Sequence, residues 1–88
     1  MQWKGKKVHF IGIKGAGTSG LAVLLKREGA KISGSDTREE FPSEALLKRE
    51  NISVEVFDAR NITKELDLVI YSSAYDTEHP ERKRAHEL

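Results

Sequence analysis

Apolar and polar residues alternate in short blocks along this chain, and the blocks change period in a regular order. Val8-His9-Phe10-Ile11 is brief, largely apolar and halted by a glycine cluster, the pattern of a buried central strand in a parallel sheet. From about Gly17 the spacing turns helical. Leu21, Leu24, Leu25 and Glu28 fall at i, i+3, i+4 and i+7, Lys26 and Arg27 lie near the carboxyl end, and Gly29 supplies a left-handed cap. Lys31 to Asp36 follows as a weaker strand in which Ile32 is the strongly apolar residue, placed where a βαβ crossover needs one. Pro42 and Asn51 bracket a second, shorter helix over 43–50. Ser53 to Phe57 alternates as a third strand, Asp58 to Thr63 is a polar connection with room for one helical turn, and Leu68 to Tyr71 is a fourth strand. The charged tail from Glu78 to Leu88, marked by Pro80, predicts the start of a helix with only Ala85 and Leu88 to offer a core.

Four strands alternating with helical segments predict an α/β, Rossmann-like parallel sheet, and right-handed crossovers set the order 3-2-1-4. A domain of this kind continues into a fifth strand beside the fourth, so the chain is expected to be truncated just short of one. At 88 residues there is room for one domain, 1–88, which buries roughly 60 to 65% of its unfolded surface. No apolar run approaches the roughly 20 residues of a membrane span, and no signal-peptide core follows Lys4, Lys6 and Lys7. Both features lead to the expectation of a cytoplasmic protein without a membrane partner. The absence of cysteine excludes disulfides and thiolate chemistry. A formal charge of +1, with both signs interspersed, gives no field for nucleic acid, so any anion must be bound locally.

The local candidate is Gly12-Ile13-Lys14-Gly15-Ala16-Gly17, between a strand and a helix. Glycines at such a turn let the backbone approach phosphate oxygens, while unpaired amides and the helix dipole supply positive charge. Thr18 and Ser19 offer hydroxyls there and Lys14 a full charge. The plainer alternative is a tight turn that only packs helix against sheet. Lys14 replaces the second glycine of the dinucleotide fingerprint, which disfavours a nicotinamide cofactor. Asp36, ending the second strand, stands where an acidic residue accepts from ribose hydroxyls, or else caps the turn before Thr37. Ser72 and Ser73 end the fourth strand at the same sheet edge. His9 reads as a satisfied sheet-face histidine, and His79 and His86 lack a third metal ligand. No nucleophile elbow pairs a serine with a histidine, so catalytic residues are not expected.

The run from His9 to Ala22, HFIGIKGAGTSGLA, resembles the opening motif of the Mur ligases, in particular the branch that joins L-alanine to UDP-N-acetylmuramate. Gly34-Ser35-Asp36, Asn61-Ile62, Tyr71-Ser72-Ser73-Ala74 and His79-Pro80-Glu81 follow in the order the family has them. Thr18 stands where the family often has methionine, and Lys14 where it often has glycine. The resemblance implies an amino-terminal domain that grips the UDP part of UDP-N-acetylmuramate in peptidoglycan synthesis. Gly12, Lys14, Gly15, Ala16, Gly17, Thr18 and Ser19 would face the diphosphate, and Ser35, Asp36, Thr37, Ser72, Ser73 and Ala74 the ribose and uracil. It further implies central and carboxyl-terminal ligase domains as partners, with ATP and Mg2+ used there and no cofactor in this stretch. The family's G-x-x-G-K-T/S loop is missing from the sequence, so these 88 residues are expected to be inactive in ligation alone. A regulatory module that senses NAD(H) or another nucleotide would use Gly12 to Gly17 and Asp36 as well. A remnant that binds nothing would have its pocket blocked by Lys14 or Phe41.

Overall fold

The computed structural model describes residues 2–88 and contains β1 (Lys7–Ile11), α1 (Ala16–Arg27), β2 (Lys31–Asp36), α2 (Glu44–Arg49), β3 (Val54–Val56), a 3-10 turn (Ala59–Asn61), β4 (Leu68–Tyr71) and α3 (Pro80–Glu87). All strand pairs are parallel, and the sheet order is β3-β2-β1-β4. β1 is central, pairing with β2 on one side and β4 on the other, and its Val8, Phe10 and Ile11 are fully buried. No helix among the described residues is long and apolar enough to cross a membrane.

Both helices that return the chain to the sheet stop by the same device. Gly29, at φ +100, lets its own amide bond to Lys26 O and the Ala30 amide bond to Leu25 O, which satisfies the last carbonyls of α1. Asn51, at φ +59, does the same for α2 through Lys48 O and Leu47 O. Lys26 reaches across from α1 to the carbonyls of Glu50 and Asn51, so the two helix ends are tied together.

One face of the sheet carries the apolar core. Val8 and Phe10 of β1 pack with Ala22, Val23 and Leu25 of α1, Leu47 of α2 and Ile52. The leucine spacing foretold a different helix face: Leu21 and Leu24 are exposed, whereas Ser19, Ala22, Val23 and Leu25 are buried. Much of the inward stripe consists of small residues, which lets α1 lie close to the sheet.

The turn before α1 also packs tightly: an added Cβ at Gly34 of β2 would stand 2.8 Å from the Cβ of Ile13 and 2.9 Å from its Cγ2. Gly34→Ala is therefore expected to overpack the core and cost about 1–3 kcal/mol. An unchanged urea midpoint would contradict this close approach.

Candidate functional site

The turn after β1 is built so that some of its amides are used up and others are left open. Gly12, at φ +81, turns the chain so that its amide and that of Ile13 both donate to Ser35 O at 2.9 and 3.1 Å. The Lys14 amide donates to Asp36 Oδ2 at 2.8 Å, and Gly15 N donates to Gly12 O at 3.2 Å. The next three amides, Ala16, Gly17 and Thr18, donate to nothing among the described residues, and the ladder of α1 begins only with Ser19 N to Gly15 O. Gly15 is the extended N-cap, offers no side-chain acceptor, and no acidic residue stands in the first turn. The helix thus presents three free N–H groups and its positive dipole end without internal compensation, which is the arrangement that attracts an anion. A Cβ built on Gly17 meets nothing within 4 Å, so the helix surface beside this residue is open.

Several residues expected to face a ligand do other work. The Lys14 ammonium donates to Thr37 O at 2.9 Å and Glu39 O at 2.7 Å, and the side chain is almost wholly buried. It therefore leaves the diphosphate set: two carbonyls of the loop after β2 hold it more firmly than an open shelf would, and Ser43 Oγ ties the same loop to Lys14 O at 2.5 Å. Ser19 turns inward and its hydroxyl donates to Ala16 O. Ser35 is fully buried on the opposite sheet face, where its hydroxyl donates to Glu81 Oε1 at 2.7 Å, so it too is withdrawn from the ribose set.

Asp36 does sit at the sheet edge, but 3% exposed, with Thr37 N and the Tyr75 hydroxyl on Oδ1 and Lys14 N on Oδ2. Its carboxylate caps the turn before Thr37 and pins the glycine turn as well. Thr37 Oγ1 accepts from Glu39 N. Ser72 N bonds to Ile11 O, Ser72 Oγ accepts from Ala74 N, and Ser73 and Ala74 are exposed beside them. Phe41 is exposed and lies 5.9 Å from the Lys14 ammonium rather than over the open amides.

Behind this edge lies a buried polar cluster that the sequence did not announce. On the face opposite the apolar core, Glu81 of α3 is completely buried and accepts four bonds: His9 Nε2 (2.8 Å) and Ser35 Oγ (2.7 Å) on Oε1, Asp58 N (3.0 Å) and Asn61 Nδ2 (2.9 Å) on Oε2. His9 Nδ1 lies 2.8 Å from Ser33 Oγ, so both ring nitrogens have partners, as a satisfied sheet histidine requires. Burial pushes the Glu81 carboxyl up, but the bonds from His9, Ser35, Asn61 and the Asp58 amide outweigh it and hold the carboxyl below its ordinary value. The available signal was the run of polar residues His9, Ser33 and Ser35 at inward positions of buried strands, which demand a polar partner.

Clefts of about 500 Å3 beside α2 and β3 (Leu47, Ile52, Val54) and about 480 Å3 beside β4 and α3 (Leu68, Ala85, Leu88) mark the open sheet edges, away from the glycine turn. No group of three His, Asp or Glu side chains among the described residues is placed to hold a metal.

The family model described as "Mur ligase family, catalytic domain" matches residues 7–88. The chain belongs to the Mur ligase family. It is 49% identical over 82 residues to the UDP-N-acetylmuramate--L-alanine ligase of Desulfitobacterium hafniense (strain Y51), covering 92% of this chain and 18% of that protein. The enzyme of the same name from Campylobacter jejuni (strain RM1221) is 46% identical over 83 residues, 94% of this chain and 19% of the relative. Among solved structures, the UDP-N-acetylmuramate-alanine ligase of Thermotoga maritima superposes with a TM-score of 0.81 at 35% identity, over 92% of this chain and 19% of that one. A second Mur ligase, the UDP-N-acetylmuramate:L-alanyl-gamma-D-glutamyl-meso-diaminopimelate ligase of Neisseria meningitides, gives 0.82 at 27% identity, over 94% and 26%. This Mur ligase chain therefore spans about a fifth of the length of the curated relatives it matches.

Proposed function

We propose that residues 1–88 form the UDP-binding domain of an ATP-dependent UDP-N-acetylmuramate:L-alanine ligase, acting in the cytoplasm in peptidoglycan synthesis. The observation that carries this reading is the trio of unpaired amides at Ala16, Gly17 and Thr18 at the start of α1, in a chain whose relatives are named for that substrate. The diphosphate lies across these amides, with the Thr18 hydroxyl as a fourth donor. Asp36 accepts from the ribose, and Ser72, Ser73 and Ala74 at the end of β4 line the uracil side, at the sheet edge where open α/β sheets bind ligands.

The domain's task is to hold and orient. It fixes the nucleotide end of the substrate so that the lactoyl carboxylate projects toward the ligase's central and carboxyl-terminal domains. ATP and Mg2+ supply the phosphoryl activation of that carboxylate there. The residues of this chain do not fit that group, because the sequence has no G-x-x-G-K-T/S loop and the described residues have no metal cluster.

Calorimetric titration separates this from a nucleotide-sensing module. UDP-N-acetylmuramate and UDP are expected to bind with NADH inert; NADH binding with UDP inert, or no heat at millimolar UDP-N-acetylmuramate from folded protein, would overturn the reading.

A further inference from the structure

We infer that the Tyr75 side chain competes with the ribose of a bound nucleotide for Asp36, so that binding requires Tyr75 to swing away; the inference rests on the UDP-binding reading above. Tyr75 follows β4, yet its ring crosses the carboxyl ends of β1 and β2. A Cβ built on Gly12 would stand 2.5 Å from Tyr75 Cε2, so the ring lies directly on the glycine turn. Its hydroxyl donates to Asp36 Oδ1 at 3.3 Å, the type of bond that a ribose hydroxyl makes to the acidic residue ending the second strand of such a sheet. The obstacle is space rather than lone pairs. A carboxylate has about four acceptor sites and three are used here, but Asp36 is only 3% exposed, and the Tyr75 hydroxyl already stands on its Oδ1.

The surroundings show which part moves. The backbone of Tyr75 is pinned: its amide donates to Ser72 O at 3.1 Å, and its carbonyl accepts from Arg82 Nη1 at 3.0 Å. The ring has no such anchor beyond the hydroxyl and two edge contacts, with Phe57 at 5.0 Å and His79 at 5.2 Å between centroids. The side-chain torsions are therefore the part free to turn, at the cost of the hydroxyl bond and the two edge contacts. Burial and the neighbouring Asp36 raise the pKa of the Tyr75 hydroxyl, so it remains a donor throughout the neutral range. A ligand that must displace an internal group binds more weakly by the population of the open form.

Tyr75→Phe keeps the ring and removes only the hydroxyl's hold on Asp36. UDP is expected to bind this variant about 5-fold more tightly than the wild type, the scale of one long hydrogen bond to a carboxylate. The aromatic proton resonances of Tyr75 in the wild type should shift on UDP addition as the ring leaves its neighbours. If wild type binds UDP, but Tyr75→Phe binds no better and the Tyr75 resonances stay in place, the competition is refuted while the UDP reading stands. Weaker binding by Tyr75→Phe would make the hydroxyl a ligand contact and also refute it. If neither protein binds UDP at millimolar concentration while both give folded spectra, both readings fall.

Discussion

Replacing Glu81 by alanine is expected to cost about 3–5 kcal/mol, enough to bring a domain of this size close to its unfolding threshold, since about 0.05–0.15 kcal/mol per residue is all such domains hold. The size follows from the partners. His9 Nε2, Ser35 Oγ, Asn61 Nδ2 and the Asp58 amide all aim donors at one buried carboxylate; truncation takes the acceptor from all of them at once, leaving Asn61 only its bond to Val56 O and His9 and Ser35 only each other and Ser33. These bonds connect β1, β2, the segment after β3 and α3, so the layer covering the polar sheet face depends on them. Glu81→Gln should cost less, because its oxygen can keep the bonds from Asp58 N and Asn61 Nδ2 while its NH2 donates to Ser35 Oγ or His9 Nε2, both of which can accept. The two variants' urea midpoints should rank accordingly; a loss below about 1 kcal/mol for Glu81→Ala would contradict the account.

Acid gives a second readout of the same group. The folded Glu81 carboxyl is held below its unfolded value, so its contribution is fully present above the ordinary carboxylate range and disappears as pH falls through the folded value. Wild-type stability should therefore decline below about pH 4.5, and Glu81→Gln should lack that component. Asp58, lowered to about 2 by its hydrogen bonds from Arg60, titrates in the same direction but is solvent-exposed and contributes little.

Gly17→Asp is the variant in which stability and binding should move in opposite directions. Gly17 is the second residue of α1, its Cβ position is open, and the first turn has no acid. Replacing a helical glycine and adding a negative charge at the positive dipole end should each raise stability by a few tenths to about 1 kcal/mol. The same carboxylate projects into the proposed diphosphate position. Repulsion at about 4 Å near a protein surface amounts to several kcal/mol, so UDP binding should fall at least about 100-fold. Gly20→Ala, one turn further on and equally open, should also stabilise the helix but leave binding unchanged. Comparable UDP affinity in Gly17→Asp and wild type would remove the diphosphate from this helix end.

The order of the sheet was legible because each strand is a short apolar block separated by a helical or turn-rich segment, and right-handed crossovers leave few arrangements. β2 and β4 lie where periodicity put them, and Gly29 caps α1 as its position required. What was not legible depended on residues distant in sequence. Leucine spacing in α1 fits two overlapping stripes, and it is the stripe of Ser19, Ala22, Val23 and Leu25 that packs on the sheet. Glu81 and His9 are 72 positions apart, Tyr75 and Asp36 are 39, and no local pattern links either pair. Lys14 looked like a ligand because a lysine in a glycine turn carries charge to the right place. The loop from Thr37 to Glu39, unreadable from sequence, folds over and takes that charge instead.

The three backbone amides at the start of α1 can be watched individually. In an amide-resolved NMR titration with UDP, the Ala16, Gly17 and Thr18 resonances are predicted to shift most and to saturate together, with Ser19 and later α1 amides moving little. If the spectrum stays that of the folded domain and these three resonances do not respond up to millimolar UDP, the helix end does not hold the diphosphate and the account is wrong.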